Sequence, residues 1–176
     1  HSTDQFNLAT QARRQPGSSF KTFTLAAAIN AGVSPDTTLN ANSPVQVTPN
    51  WAPKNFGNVS YGNVSLKEAT WNSYNTAYGL LAHEIGAQSI VDMAHTMGIK
   101  SELAPYDSIT LGVSGVSPLE MASAYGTLAT TGTQRDPVII TQILDKDGDV
   151  IWAHEDAPTV DAVDPSVAYA TTQVLQ

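Results

Sequence analysis

The 176-residue sequence contains no cysteine. A disulfide framework, a thiolate nucleophile and cysteine-ligated zinc are therefore excluded. Basic residues are scarce, with 8 Lys+Arg against 16 Asp+Glu and a formal net charge of -8. Without a cationic excess to displace counterions, a nucleic acid is not an expected partner. No apolar run reaches the roughly 18 residues of a membrane helix, and no basic-then-apolar leader opens the chain, so these residues read as soluble and without membrane contact of their own. What is present is a 41% hydrophobic composition, enough for one domain, or a large piece of one, with a real core.

From Gly17 the stretch "SSFKTFTLAAAINAG" carries helix formers and ends at Gly32, followed by Ser34-Pro35, so a helix is expected over about 18–31. Its apolar residues cover nearly the whole circumference, which predicts a central helix buried on most sides. Residues 33–64, rich in Pro, Asn, Gly and Ser, read as a long ordered loop. The two "GNVS" tetrapeptides there fit N-x-S but are read as chance matches. Ser65 to Glu68 is a capping box opening "LKEATWNS"; further helices are expected from about Asn75 to Ile85, through "AQSIVDMAHTM" to Gly98, and from Ser117-Pro118-Leu119-Glu120 to about Ala129. At 138–152 the period changes to that of strands, and Asp147-Gly148 predicts a hairpin with a type I′ turn. Asp164-Pro165 caps a last helix, and the chain reads as truncated within it.

A serine hydroxyl is a weak nucleophile unless a base lies within hydrogen-bond reach. Ser18 and Lys21 stand at i and i+3 on one face of the first helical turn, whereas Ser19 and Lys21 diverge, so Ser18 is the candidate nucleophile. Burial and the positive helix N-terminus both disfavour the Lys21 ammonium and lower its pKa toward that of a useful base. The Ser18 N–H is placed to hold an oxyanion. Alone, S-x-x-K occurs by chance in many proteins.

Together, "RQPGSSFK", Ser73-Tyr74-Asn75 at a helix junction and "ITLGVSGVSPLEMASAYGTLATTG" resemble the penicillin-binding transpeptidases of the bacterial cell wall, most closely the bifunctional class A proteins. The resemblance runs over nearly all of residues 1–176 and implies an α/β, β-lactamase-like transpeptidase fold. Here that fold is expected to be represented by part of one domain, mainly the helical subdomain plus a β-hairpin. It implies Ser18 as nucleophile on D-Ala-D-Ala stem peptides, Lys21 as the group taking its proton, Ser73 as proton relay and Asn75 as orienting Lys21 and binding the substrate amide. Expected partners are peptidoglycan stem peptides, β-lactam antibiotics and the remainder of the domain, at the extracytoplasmic face of the bacterial membrane. The third family motif, K-T-G, occurs nowhere in the sequence, so the chain alone is expected to be incompetent. A carboxypeptidase, a β-lactamase or a non-catalytic β-lactam sensor stay open as alternatives.

No cofactor is expected. Asp145, Asp147 and Asp149 mimic an EF-hand opening, but Val150 stands where glycine and Asp156 where glutamate belong, so a solvated turn is expected. His83, His95 and His154 lack zinc-site spacing, and no metal is assigned. Trp51, Trp71 and Trp152 are expected to pack or to anchor loops.

Overall fold

The structure is a computed structural model that describes residues 5–155 and 159–176. Asp156 of the EF-hand comparison lies outside the described residues. The run after Gly17 forms a 3₁₀ turn, Gly17–Phe20, that leads without a break into helix α1, Lys21–Asn30. Residues Phe20 to Ala28 are all buried, as a helix apolar all round requires. One side of α1, with Phe20, Phe23, Ala26 and Ala27, enters a cluster with Ile90, Met97, Ile109 and Ala124. The other, with Leu25 and Ala28, meets Leu39, Leu66, Tyr78 and Leu81. Each large side chain buried there contributes about 1.5–3 kcal/mol, so α1 is the axis on which both halves are built.

The remaining helices are α2, Leu66–Trp71; α3, Asn75–Ile85; α4, Ala87–Met97; α5, Pro118–Ala129; and α6, Pro165–Leu175. A 3₁₀ helix, Asp107–Leu111, packs against α3, α4 and the Gly17–Phe20 turn. The expected spans of α3, α4 and α5 match, because each is bounded by local chemistry. At α5 the capping box closes in both directions between Ser117 and Glu120, with Pro118 at N1. Asp164 accepts from the Ser166 amide at 2.8 Å to open α6.

Among the described residues the sheets are three antiparallel pairs, which with the helices make an α/β chain of mainly helical content. Strand β1, Thr38–Asn40, pairs with β2, Asn63–Ser65; β3, Thr133–Gln134, pairs with β6, Val160–Asp161; β4, Gln142–Leu144, pairs with β5, Val150–Ala153. The loop expected over 33–64 thus carries a short ladder at each end, with Leu39 facing Val64 in the core. At the hairpin the expected type I′ turn is replaced. Only Gly148 has positive φ, +92°, because the Asp145 carboxylate accepts the amides of Asp147 and Asp149 at 2.9 Å each and holds Asp147 right-handed. The result is an ordinary turn with a left-handed glycine and a register shift between Ile143 and Leu144. Trp152 on this hairpin is largely exposed, contrary to a packing role. Trp51 does anchor its loop: it lies on Gly79 of α3, where an added Cβ would stand 3.2 Å from its ring. Trp71 donates its ring N–H to the Val174 carbonyl at 2.8 Å.

Candidate active site

Three of the four expected site residues meet around one amine. Lys21 is the first residue of α1, only 4% exposed, and its Nζ donates to the Ser73 carbonyl at 2.7 Å, to Ser73 Oγ at 2.8 Å and to Asn75 Oδ1 at 2.8 Å. Three acceptors match the three protons of an ammonium. The Tyr78 ring adds a cation–π contact, 5.4 Å from Nζ to its centroid. Burial nevertheless pushes the lysine pKa down to about 8, since desolvation disfavours the charged form. About a tenth of such amines are neutral at pH 7.

The geometry of Ser73 comes from how α2 ends. The Tyr74 amide donates to the Ala69 carbonyl at 2.9 Å and the Ser73 amide to Thr70 at 3.1 Å, a Schellman end with Ser73 at the left-handed C′ position, φ +56°. Glycine takes this position at the ends of α1 and α4, as Gly32 and Gly98. Placing serine there costs about 1–2 kcal/mol and turns the Ser73 carbonyl and hydroxyl toward the same amine. Asn75, the first residue of α3, also donates Nδ2 to the Lys54 carbonyl at 3.0 Å, so its Oδ1 is oriented toward Lys21.

Ser18 and Ser19 differ sharply. Ser19 Oγ donates back to the Pro16 carbonyl at 2.7 Å, whereas the exposed Ser18 hydroxyl has no hydrogen-bond partner among the described residues. The structure does not join Ser18 Oγ to Lys21 Nζ by a hydrogen bond, because all three ammonium donors are engaged elsewhere. The turn is tight, with i and i+3 nearly eclipsed in 3₁₀ geometry, and the Ser18 amide lies where a helical start leaves N–H groups without intrahelical acceptors.

A family model described as the penicillin binding protein transpeptidase domain matches residues 2–176. The chain belongs to the penicillin-binding protein transpeptidase family. Penicillin-binding protein 1A of Aquifex aeolicus (strain VF5) is 35% identical over 165 residues, 92% of this chain and 22% of the relative, in keeping with the class A resemblance. The solved structure of PonA1 from Mycobacterium tuberculosis in complex with penicillin V superposes with a TM-score of 0.86 at 27% identity, covering 98% of this chain and 49% of that one. The imipenem acyl-enzyme complex of penicillin-binding protein A from M. tuberculosis gives 0.87 at 27% identity, over 96% and 44%. The chain therefore spans about a fifth of the curated relative and about half of these solved chains.

Within this transpeptidase-family chain, several residues that support the site carried no sequence signal. Asn55, buried, donates Nδ2 to the carbonyls of Ala41 and Val59 and accepts the Thr76 amide and hydroxyl at 3.1 Å each. It fastens the 41–60 loop to the start of α3, beside Asn75. Gly112, left-handed at φ +67°, lies against Gly17; an added Cβ would stand 2.3 Å from the Gly17 carbonyl oxygen. In sequence, one is a loop asparagine and the other a glycine among many. Elsewhere, His83 pairs with Asp107 at 2.8 Å and His95 with the Ile99 carbonyl at 2.7 Å. Among the described residues no helix is long and apolar enough to cross a membrane.

Proposed function

We propose that the chain is part of the transpeptidase domain of a class A penicillin-binding protein and carries the acylating half of a serine D,D-transpeptidase site. The single observation behind this reading is the buried Lys21 amine, with its pKa near 8 and its three acceptors on Ser73 and Asn75. A neutral Lys21 has two protons to donate and one lone pair. It keeps two of its acceptors, releases the third, and offers the lone pair to the Ser18 hydroxyl.

Ser18 Oγ then attacks the carbonyl carbon of the penultimate D-Ala in a stem peptide as its proton passes to Lys21, and the Ser18 amide supports the oxyanion. The tetrahedral species collapses with cleavage of the C–N bond. The proton returns from Lys21 through the Ser73 hydroxyl, bonded to it at 2.8 Å, to the leaving D-Ala nitrogen. An amine of a second stem peptide attacks the acyl carbonyl, the C–Oγ bond to Ser18 breaks, and the amine's surplus proton passes through Ser73 and Lys21 to Ser18 Oγ. The strained four-membered amide of a β-lactam enters by the same first step, and that its own leaving nitrogen stays tethered favours a persistent adduct. The penicillin V complex of PonA1 and the imipenem acyl-enzyme of penicillin-binding protein A support carrying this chemistry over. A location at the extracytoplasmic face of the membrane is proposed with this reading, on the similarity to the penicillin-binding protein 1A relatives.

A β-lactamase reading needs a base that activates water, and Glu120 is the acidic residue to weigh. Its carboxylate accepts from the amides of Ser117 and Lys100 and from the Ser101 hydroxyl. Although burial opposes ionisation, these bonds hold its pKa down to about 2. So weak a base, committed to its cap, disfavours that alternative.

The experiment is covalent labelling of the full-length protein with a fluorescent penicillin, followed by peptide mass mapping. The adduct is expected on Ser18, to be absent in Ser18→Ala, and to persist for minutes or longer. An adduct on another serine would sink the assignment, and turnover within seconds would return the case to a β-lactamase.

A further inference from the structure

Among the described residues no hydrogen bond holds the Ser18 side chain, so its direction is inherited from the backbone on either side. On the N-terminal side Gly112 backs Gly17. On the C-terminal side the contact comes from α5, a hundred residues away. Tyr125 donates its hydroxyl proton to the Ser19 carbonyl at 2.7 Å and stands 2.7 Å from Thr22 Oγ1. Because the tyrosine's one proton is committed to Ser19, Thr22 is the donor in the second bond. The Tyr125 oxygen thus closes a bridge between the turn that bears Ser18 and the first turn of α1. Its ring meets Phe23 edge-on, with centroids 6.4 Å apart, so the hydroxyl is delivered by a packed ring rather than a free side chain.

We propose that Tyr125 is a positioning residue for acyl transfer: through the Ser19 carbonyl it fixes the backbone that follows Ser18, and with it the direction of Ser18 Oγ and the Ser18 amide. The inference rests on the reading of Ser18 as nucleophile. The hydroxyl stays protonated throughout the working range, since burial raises its pKa, and remains a donor. A donor on this carbonyl has no part in proton transfer. Its contribution is geometric, and misplacement of a reacting atom by about 1 Å can cost about 100-fold.

The test is acylation of the full-length protein by a chromogenic cephalosporin under pre-steady-state conditions, with dissociation constant and acylation rate resolved separately. Rates are taken per titratable site. Tyr125→Phe keeps the ring on Phe23 and removes only the bridge. The expected result is an acylation rate lower by about 10- to 100-fold, with the dissociation constant, the number of titratable sites and the pH midpoint unchanged. Thr22→Val, which leaves the Ser19 contact in place, is expected to lose less than Tyr125→Phe, and Thr22→Ser is expected to restore the wild-type rate. A wild-type acylation rate per site in Tyr125→Phe overturns the proposal. So does a loss confined to site number or thermal stability, which would make the contact merely structural. Failure of the wild-type protein to acylate at Ser18 removes the parent reading and this inference together, and is told apart because it appears before any variant is made.

Discussion

Lys21 presents two opposed requirements. Three acceptors favour its ammonium, while burial favours the neutral amine, and burial wins by enough to bring the pKa to about 8. Acylation by a β-lactam should therefore rise with pH and level off with a midpoint near 8, because the neutral amine is the reactive form. Stopped-flow acylation between pH 6 and 9.5 checks this, and a rate independent of pH would exclude Lys21 as the base. The same shift bears on stability. The folded pKa lies below the ordinary lysine value of 10.5, so between about 8 and 10.5 the unfolded chain holds more protons and stability rises with pH; below about 8 the cost of burying the charge is fully present. Denaturant melts of wild type and Lys21→Met should diverge across this window in the wild type's favour, the difference cancelling other titrations. Equal slopes would contradict the burial argument.

Helix ends decide where the second motif points. α1 and α4 stop on left-handed glycines, but α2 and α5 stop on left-handed Ser73 and Thr131, φ +56° and +58°. Nothing in the described structure uses Thr131's conformation for a ligand, so Thr131→Gly should stabilise the protein by about 1 kcal/mol without altering acylation. Ser73→Gly relieves the same strain but deletes the hydroxyl bonded to Lys21. It should be more stable than Ser73→Ala by about 1 kcal/mol, and both should acylate slowly. Thermal melts paired with acylation rates measure this, and full activity in either Ser73 variant would remove the relay. At the start of α5, Glu120 does more than cap. It reaches the Lys100 amide, the Ser101 hydroxyl and, at 3.6 Å, Arg13, so Glu120→Gln should cost about 2 kcal/mol. With a folded pKa near 2, its contribution is present above the ordinary glutamate range and is lost as pH falls from about 4.5 toward 2. A pH titration of the melting temperature, in which Glu120→Gln lacks this acid slope, tests the assignment.

The whole molecule is organised by α1, which carries Lys21 at its start and is buried from there to Ala28 between two clusters. The sequence contains no Lys-Thr-Gly, so one oxyanion donor of the proposed mechanism is not supplied by these residues. Losing such a donor typically costs about 2.7–4 kcal/mol of transition-state stabilisation. The 176-residue chain alone should label with fluorescent penicillin at least about 100-fold more slowly than the full-length protein, and equal rates would show the acylating half to be sufficient. The spans of α3, α4 and α5 and the buried α1 were legible in the sequence, because caps and glycines act within a few residues; the Ser18–Lys21 pair was expected from its i, i+3 spacing, but the Lys21 amine is bonded to Ser73 and Asn75 instead. The hairpin turn was misread for a local reason as well: the Asp145 carboxylate competes for backbone amides that a dipeptide rule leaves out. What the sequence alone could not decide were contacts that join distant stretches. Lys21 meets Ser73 and Asn75 over 52 and 54 residues, Tyr125 meets Ser19 over 106, and Gly17 meets Gly112 backbone to backbone. Residue types and spacing nominated the groups proposed to react. Only the tertiary placement of α2, α3 and α5 relative to the start of α1 brought Lys21 to Ser73 and Asn75, and Tyr125 to Ser19, within hydrogen-bond distance, because such contacts depend on the relative placement of whole elements and leave no periodic trace in the chain.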